Sequence, residues 1–414
     1  MVRNDDGVNF IGGNVVSGAL QRCVSVGSEQ FSAQYWDRAP LLSSAQGDYL
    51  DLLDLGGVDE LLSGRALRTP FVRMAKDGHV IPSARYTGSG GAGAEIGDQV
   101  HDEKVLALLA DGATLVLQGL HRMWPPLVAF ASTLRQELGT PVQINAYLTP
   151  PDSRGFDPHY DTHGVFVLQV SGRKHWRVHA PVLESPVPRQ PWGGVAEEVA
   201  AAASTEPAID TTLTAGDALY LPRGWLHSAS TAGEWSLHLT IGLHAPTRLT
   251  LIDALQRMAV REPRLRAGLP MGLDPADAKS LAPALADTVA ALHEWLDSIT
   301  PEDVAAQLRG GTWSAARPAP LRPVAQAAAL SALGLDVRVA ARPGLPVRLE
   351  GPSGGRVAVH LPDRSLQLPE SCAAALRTAL DGRPHRVGDL PGLDDADRIV
   401  LARRLLREAA LVLA

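Results

Sequence analysis

His159 and Asp161 stand two residues apart, and His227 follows the turn Pro222-Arg223-Gly224. On an extended strand, residues two apart project to one face, so an imidazole and a carboxylate are offered to the same point. A strand ending in a proline-glycine turn lets the second imidazole point back toward them. Two imidazoles and one carboxylate make the facial triad that holds Fe(II) in non-haem oxygenases, with three coordination positions left open. A lone His-x-Asp is more often surface decoration. Here the strand context, the downstream histidine and a nearby lysine agree, and context is what confirms a motif. Zinc accepts the same ligands, but a zinc site needs no basic residue placed for a second carboxylate. Lys174 is such a residue, set between Val170 and Trp176 in a core-like strand pair. Facing inward, its ammonium would hold the remote carboxylate of a co-substrate by a charge-assisted hydrogen bond. The bland alternative is a solvated lysine on an edge strand. His163, His175 and His179 compete as ligands by proximity; the last two share a strand with Lys174 and Trp176 and read as structural.

These residues need a scaffold that brings them together. A strand at 114–117 and a helix at 126–138 precede short runs rich in β-branched and aromatic residues at 142–148, 164–170, 175–179, 218–221 and 235–243. Turn residues separate the runs, and the pattern predicts an antiparallel sandwich or barrel of jelly-roll type. Phe166, Leu168 and Val170 share one face of their strand and are expected to form the apolar barrel interior. By the same alternation Asn145, Ser236 and Thr240 point inward, either as contacts to co-substrate or substrate or as satisfied polar core residues. Residues 1–110 are mixed, with a glycine-rich loop at 88–93, and the proline-bearing stretch 180–210 reads as an excursion over the barrel surface. Helical spacing returns at 249–260 and 281–308. A linker at 312–322 leads to 323–414, which reads as a helix, two short strands around Val347 and Val357, and two further helices.

The bulk numbers set bounds. With 414 residues the chain has room for more than one core. Its formal charge of −7 gives no overall attraction to nucleic acid or anionic membrane. Nucleic-acid binding is therefore not expected, although a basic patch on one face would not show in composition. Two widely separated cysteines, Cys23 and Cys372, give no disulfide framework and suit a reducing cytoplasm. The N-terminus carries Arg3, Asp5 and Asp6 around short apolar runs, unlike a signal peptide. No apolar run is long enough to span a bilayer.

Taken together, the segments NAYLTPP (145–151), GFDPHYDTHGVFVLQVSGRKHWRV (155–178), GDALYLPRGWLH (216–227) and SLHLTIGL (236–243) resemble the Jumonji-C type ribosomal oxygenases of the cupin superfamily. A weaker likeness runs through FSAQYWDRAP (31–40) and the later helices. The resemblance implies a double-stranded β-helix barrel within residues 1–245, a helical dimerisation region at 246–311 and a winged-helix-like module at 323–414. It implies Fe(II) held by His159, Asp161 and His227, with O2 and 2-oxoglutarate as co-substrates and Lys174 on the distal carboxylate; Asn145, inward by alternation, is the further candidate for co-substrate contact. Tyr147 matches a tyrosine that lines the substrate cleft. The activity implied is hydroxylation of a protein side chain, in a ribosomal protein, by a homodimer. Two positions depart from the histidyl-hydroxylating members: Gly242 replaces a hydroxyl-bearing residue, and Val116 a polar one. A tailoring oxygenase acting on a small molecule or peptide, and a non-catalytic cupin serving as a binding or regulatory module, are the rival readings.

Overall fold

The computed structural model describes residues 18–231, 233–314 and 317–414. Arg3, Asp5 and Asp6 lie outside the described residues, as do Ala315 and Ala316 of the linker. The strands form as the β-branched runs dictate. An eight-stranded sheet contains β1 (Leu41–Ser43), β2 (Val72–Lys76), β3 (His79–Val80), β6 (Thr114–Leu117), β7 (Val142–Thr149), β8 (Gly164–Ser171), β11 (Ala218–Leu221) and β13 (Ser236–Leu243). Its order is β1-β11-β8-β13-β7-β6-β2-β3, and its pairings are antiparallel. A second sheet, β10 (Ile209–Leu213)-β9 (Lys174–His179)-β12 (Leu226–Ser230), packs against it. The small strands β4 (Thr87–Gly88) and β5 (Gln99–Val100) pair separately.

Val165, Val167, Leu219 and Leu221 of the large sheet meet Trp176, Val178 and Leu213 of the small one in a shared apolar cluster. This closes the barrel. The expectation for β8 is therefore reversed: Phe166, Leu168 and Val170 face away from the barrel interior. They join the main core with Phe31, Leu61, Leu127, Leu134 and Tyr220. The reason is physical. β8 is buried on both faces, so alternation separates its two faces without saying which one is inside. The outer side is covered by helices, where large rings fit, and the narrow interior takes the valines.

The helices on that outer side are α1 (Ser28–Gln30), α2 (Leu55–Gly64), α3 (Asp102–Ala110) and α4 (Pro125–Leu138). Asp54 caps α2 by accepting from the Gly57 amide, and α4 starts on Pro125 and ends at Gly139 in the left-handed conformation. The excursion after β9 contains α5 (Ala196–Ala202). The tight turn between β8 and β9 matters most for the site. Gly172 has φ +64°, and a β-carbon there would lie 1.8 Å from the Trp235 carbonyl oxygen. Only glycine lets the chain turn sharply enough to carry Lys174 across to the second sheet.

After the barrel come α6 (Arg248–Ala259), α7 (Ala278–Asp297) and α8 (Pro301–Ser314). The helical spacing at 281–308 thus spans two helices. The break is at Thr300-Pro301, where the Thr300 hydroxyl accepts from the Asp303 amide and donates to its carboxylate, a reciprocal cap that starts α8 afresh. The C-terminal part holds α9 (Pro323–Ser331), α10 (Ala373–Ala379) and α11 (Asp395–Arg407). It is richer in strands than the two expected, with three-stranded sheets β18 (His385–Arg386)-β14 (Arg338–Ala341)-β19 (Leu411–Leu413) and β15 (Arg348–Ser353)-β16 (Arg356–His360)-β17 (Ser365–Pro369). Its buried residues, among them Val339, Val359, Leu376 and Leu405, form a core of their own. Among the described residues no helix is long and apolar enough to cross a membrane.

Candidate metal centre and active site

His159, Asp161 and His227 come together with a ligand atom of each within 4.8 Å of the others. The backbone sets this up differently from the strand expected for His159 and Asp161. His159 makes only an isolated bridge, exchanging both backbone hydrogen bonds with His227 at 2.8 and 3.2 Å. Asp161 follows in irregular chain, its carbonyl accepting from the Gly224 amide at 2.9 Å. The turn Pro222-Arg223-Gly224 is thus tied directly to the Asp161 segment. The imidazoles of His159 and His227 lie 4.5 Å apart, and the His227 Nε2 is 3.8 Å from Asp161 Oδ2.

Each imidazole is oriented from behind. Nδ1 of His159 donates to the Asp157 carbonyl (2.7 Å) and Nδ1 of His227 to the Trp225 carbonyl (3.1 Å). That tautomer leaves both Nε2 lone pairs free for a metal. Burial, and then His159, push the His227 pKa down to about 4, so its ring is neutral near pH 7. Burial raises the Asp161 carboxyl, but the imidazoles of His227, His159, His163 and His244 outweigh it and leave its pKa below the usual value. A neutral imidazole beside an ionised carboxylate is the state a divalent cation requires.

The triad opens on a cavity of about 370 Å³. Lys174, Asn145, Tyr147, Val165, Val167, Trp176, His238 and Thr240 also line it. Lys174 is 4% exposed, and its Nζ donates to Thr149 Oγ1 across the two sheets at 2.9 Å. Burial pushes its pKa down to about 7. The edge-strand alternative for Lys174 is therefore excluded. Asn145 Oδ1 is engaged by the Gly119 amide at 3.0 Å, and Tyr147 stacks on His238 with ring centroids 5.0 Å apart. Ser236 does not line the cavity, because Gln169 Nε2 donates to its hydroxyl at 2.9 Å. His163 lines the cavity but lies outside the ligand cluster, and His175 turns to Asp210 at 2.5 Å. Val116 is fully buried. At Gly242, a β-carbon would meet the His163 ring at 3.0 Å; the absent side chain leaves its space to that imidazole.

Among the cavity residues that were not anticipated are His238, Trp176 and Arg73. His238 is buried with an unpartnered Nδ1, and burial followed by the charge of Lys174 holds its pKa well below the usual value. It lies between Ser236 and Thr240 on the same alternating face, so the signal was present. Trp176 buries an unpartnered Nε1, and Arg73, remote in sequence, reaches the cavity and stacks over Phe156 at 5.1 Å.

Residues 126–251 match the family model described as the JmjC domain. Similar curated proteins extend the likeness beyond the JmjC segment. The bifunctional lysine-specific demethylase and histidyl-hydroxylase NO66 of Culex quinquefasciatus is 31% identical over 256 residues, 59% of this chain and 38% of that protein. Ribosomal oxygenase 1 of Rattus norvegicus is 31% identical over 361 residues, 74% of this chain and 58% of that protein. The chain thus spans less than two thirds of these relatives. A structure of YcfD, a ribosomal oxygenase from Escherichia coli in complex with cobalt and 2-oxoglutarate, aligns over 94% of this chain and 98% of that one. Its TM-score is 0.52 at 17% identity, a likeness of fold.

Proposed function

We propose that this chain is an Fe(II)- and 2-oxoglutarate-dependent oxygenase that hydroxylates a protein side chain, in a ribosomal protein. The observation that carries the reading is a buried lysine in the same cavity as a His-Asp-His triad. The residues fit the absent groups. Two imidazoles and a carboxylate without any thiolate suit Fe(II) with open positions. Among the described residues Lys174, with three ammonium hydrogens, has a single hydrogen-bond partner, while His238 Nδ1 and Trp176 Nε1 have none. A buried cation beside unmet polar atoms fits a carboxylate-bearing molecule. The NO66 and ribosomal oxygenase relatives, and the cobalt and 2-oxoglutarate of YcfD, agree with this assignment.

Iron with 2-oxoglutarate bound there supplies activation of O2 and transfer of one oxygen atom to a C–H bond. The protein's part is placement. His159, Asp161 and His227 hold the metal, with the Asp157 and Trp225 carbonyls fixing the two rings. Lys174 holds the distal carboxylate, steadied by Thr149, and Asn145 lines the same cavity farther along β7. Val165, Val167 and Trp176 keep that end apolar. Tyr147, backed by His238, walls the path by which a side chain arrives. A groove of about 1340 Å³ between the barrel, α6 and α8 shares His163 with the cavity. A groove of that size favours a macromolecule over a metabolite, which would call for a closed pocket.

Incubating the protein with ribosomes, Fe(II) and 2-oxoglutarate should add one oxygen atom to a ribosomal protein, seen by intact-mass spectrometry. Succinate released with no such addition would shift the reading to a small molecule or another protein.

We propose that residues 1–245 hold an N-terminal region and the barrel, 246–311 a dimerisation region and 323–414 a winged-helix-like module, working in the cytoplasm. Leu251 and Ile252 on α6, and Leu285, Val289 and Leu296 on α7, are exposed. A second copy of the chain covering these apolar side chains would bury them. Light scattering at micromolar concentration should therefore return twice the chain mass; a monomer mass would remove the dimer from the proposal.

A further inference from the structure

Beside the active site lies a second cavity, of about 240 Å³. It is formed by His121 and Arg122, by Ser132 and Arg135 of α4, by Gln143 of β7, by His244 and by Arg317 beyond α8. Three guanidinium groups and two imidazoles converge there, and among the described residues no aspartate or glutamate lines it. Elsewhere partly buried arginines find carboxylates: Arg22 pairs with Asp51, Arg223 with Asp37 and Arg398 with Asp395. Arg122, Arg135 and Arg317 have no such partner among the described residues.

Arg135 makes the argument. It is half-buried, its one polar contact among the described residues is the Gly344 carbonyl at 3.4 Å, and burial lowers its pKa. Desolvating a guanidinium without a counter-charge is costly, and an anion in the cavity removes that cost. His121 adds a donor, since its Nδ1 accepts from the Ile144 amide at 3.1 Å and its proton therefore sits on Nε2. Forked guanidinium groups with an imidazole N–H match the several oxygens of a phosphate better than one carboxylate. We propose that this cavity binds a phosphate group, free or in an RNA backbone, next to the mouth of the catalytic barrel. Gln143 lines both cavities, so the phosphate is held where substrate approaches. The inference rests on this cavity alone and stands whether or not the barrel binds iron.

The test uses the full chain without added metal, so that phosphate meets no iron. Inorganic phosphate is titrated by calorimetry, and a short single-stranded RNA by fluorescence anisotropy at several salt concentrations. Arg122→Gln/Arg317→Gln removes two exposed cations at little risk to folding, Arg135→Gln removes the third, and Arg266→Gln, on the exposed surface elsewhere, controls for lost charge. Wild type and the control should bind phosphate, and the double variant should bind about tenfold or more weakly, as the loss of charged hydrogen bonds implies. If RNA is the source, it binds more tightly than phosphate. Its salt slope then falls by about 1.4 in the double variant, roughly 0.7 for each phosphate of a single strand left without its arginine. If a free phosphate is the source, RNA gains nothing. Absence of binding to both probes, binding unchanged in the variants, or binding of a glutamate-rich peptide alone would overturn the proposal.

Discussion

Asp161→Ala should end 2-oxoglutarate turnover while leaving the barrel folded. On the proposed reading the carboxylate is one of three ligands, and its loss leaves two imidazoles whose affinity for a hard divalent ion is poor. Losing even a hydrogen-bond partner behind a ligand commonly costs up to about a hundredfold in metal affinity, so losing the ligand itself should cost more. The fold does not depend on the ion. Its large core is built from residues such as Phe166, Leu168 and Tyr220 on the far side of the sheet from the triad. Asp161 also sits in irregular chain, whose contact with Gly224 is made by the backbone. Thermal unfolding of the metal-free variant should therefore match wild type within about 0.5 kcal/mol, the range of substitutions away from structural features. Cobalt titration and succinate release give the two readouts. Full turnover in this variant would remove Asp161 from the metal site, and with it the facial triad.

How much of this was legible depends on whether the signal was local. His159, Asp161 and His227 stood out because their spacing and the Pro-Gly turn are sequence features, and the structure brings them together. Lys174 was readable for the same reason, from its place in a core-like strand. The inner face of β8 was not, because Val165-Phe166-Val167-Leu168 is apolar on both sides. Which face is the interior depends on α2 and α4, which no alternation within the strand encodes. His238 could have been found, since it shares its strand face with Thr240. Arg73 could not: it comes from β2, three places along the sheet from β13. The cationic cavity was hidden twice over. Its arginines come from three separate elements, and the acidic total of the chain masks them.

Lys174 carries the last prediction, and its sign differs between stability and binding. With no ligand present, burial places its folded pKa at about 7 against an ordinary 10.5. Because the folded value is depressed, the unfolded chain holds the proton more tightly between those limits. Stability is then lost as pH falls from 10.5 toward 7, and the full cost stands below 7. Lys174→Met removes this cost with a side chain of similar length. The ligand-free variant should be more stable than wild type, on the order of a few kcal/mol at pH 6, with the advantage shrinking by pH 9. Co-substrate binding should move the other way. A distal carboxylate left buried without its cation costs roughly 3 kcal/mol or more, about a hundredfold in affinity. In wild type the carboxylate selects the protonated lysine. Affinity for 2-oxoglutarate should therefore hold below pH 7 and decline above it, with proton uptake on binding, until the pKa of the complex is passed. Calorimetry in buffers of different ionisation enthalpy measures that uptake, and denaturant titrations of both proteins at pH 6 and 9 measure the stability. Equal co-substrate affinity in the two proteins would move the carboxylate to another partner in the cavity, and Arg73 is the cation available.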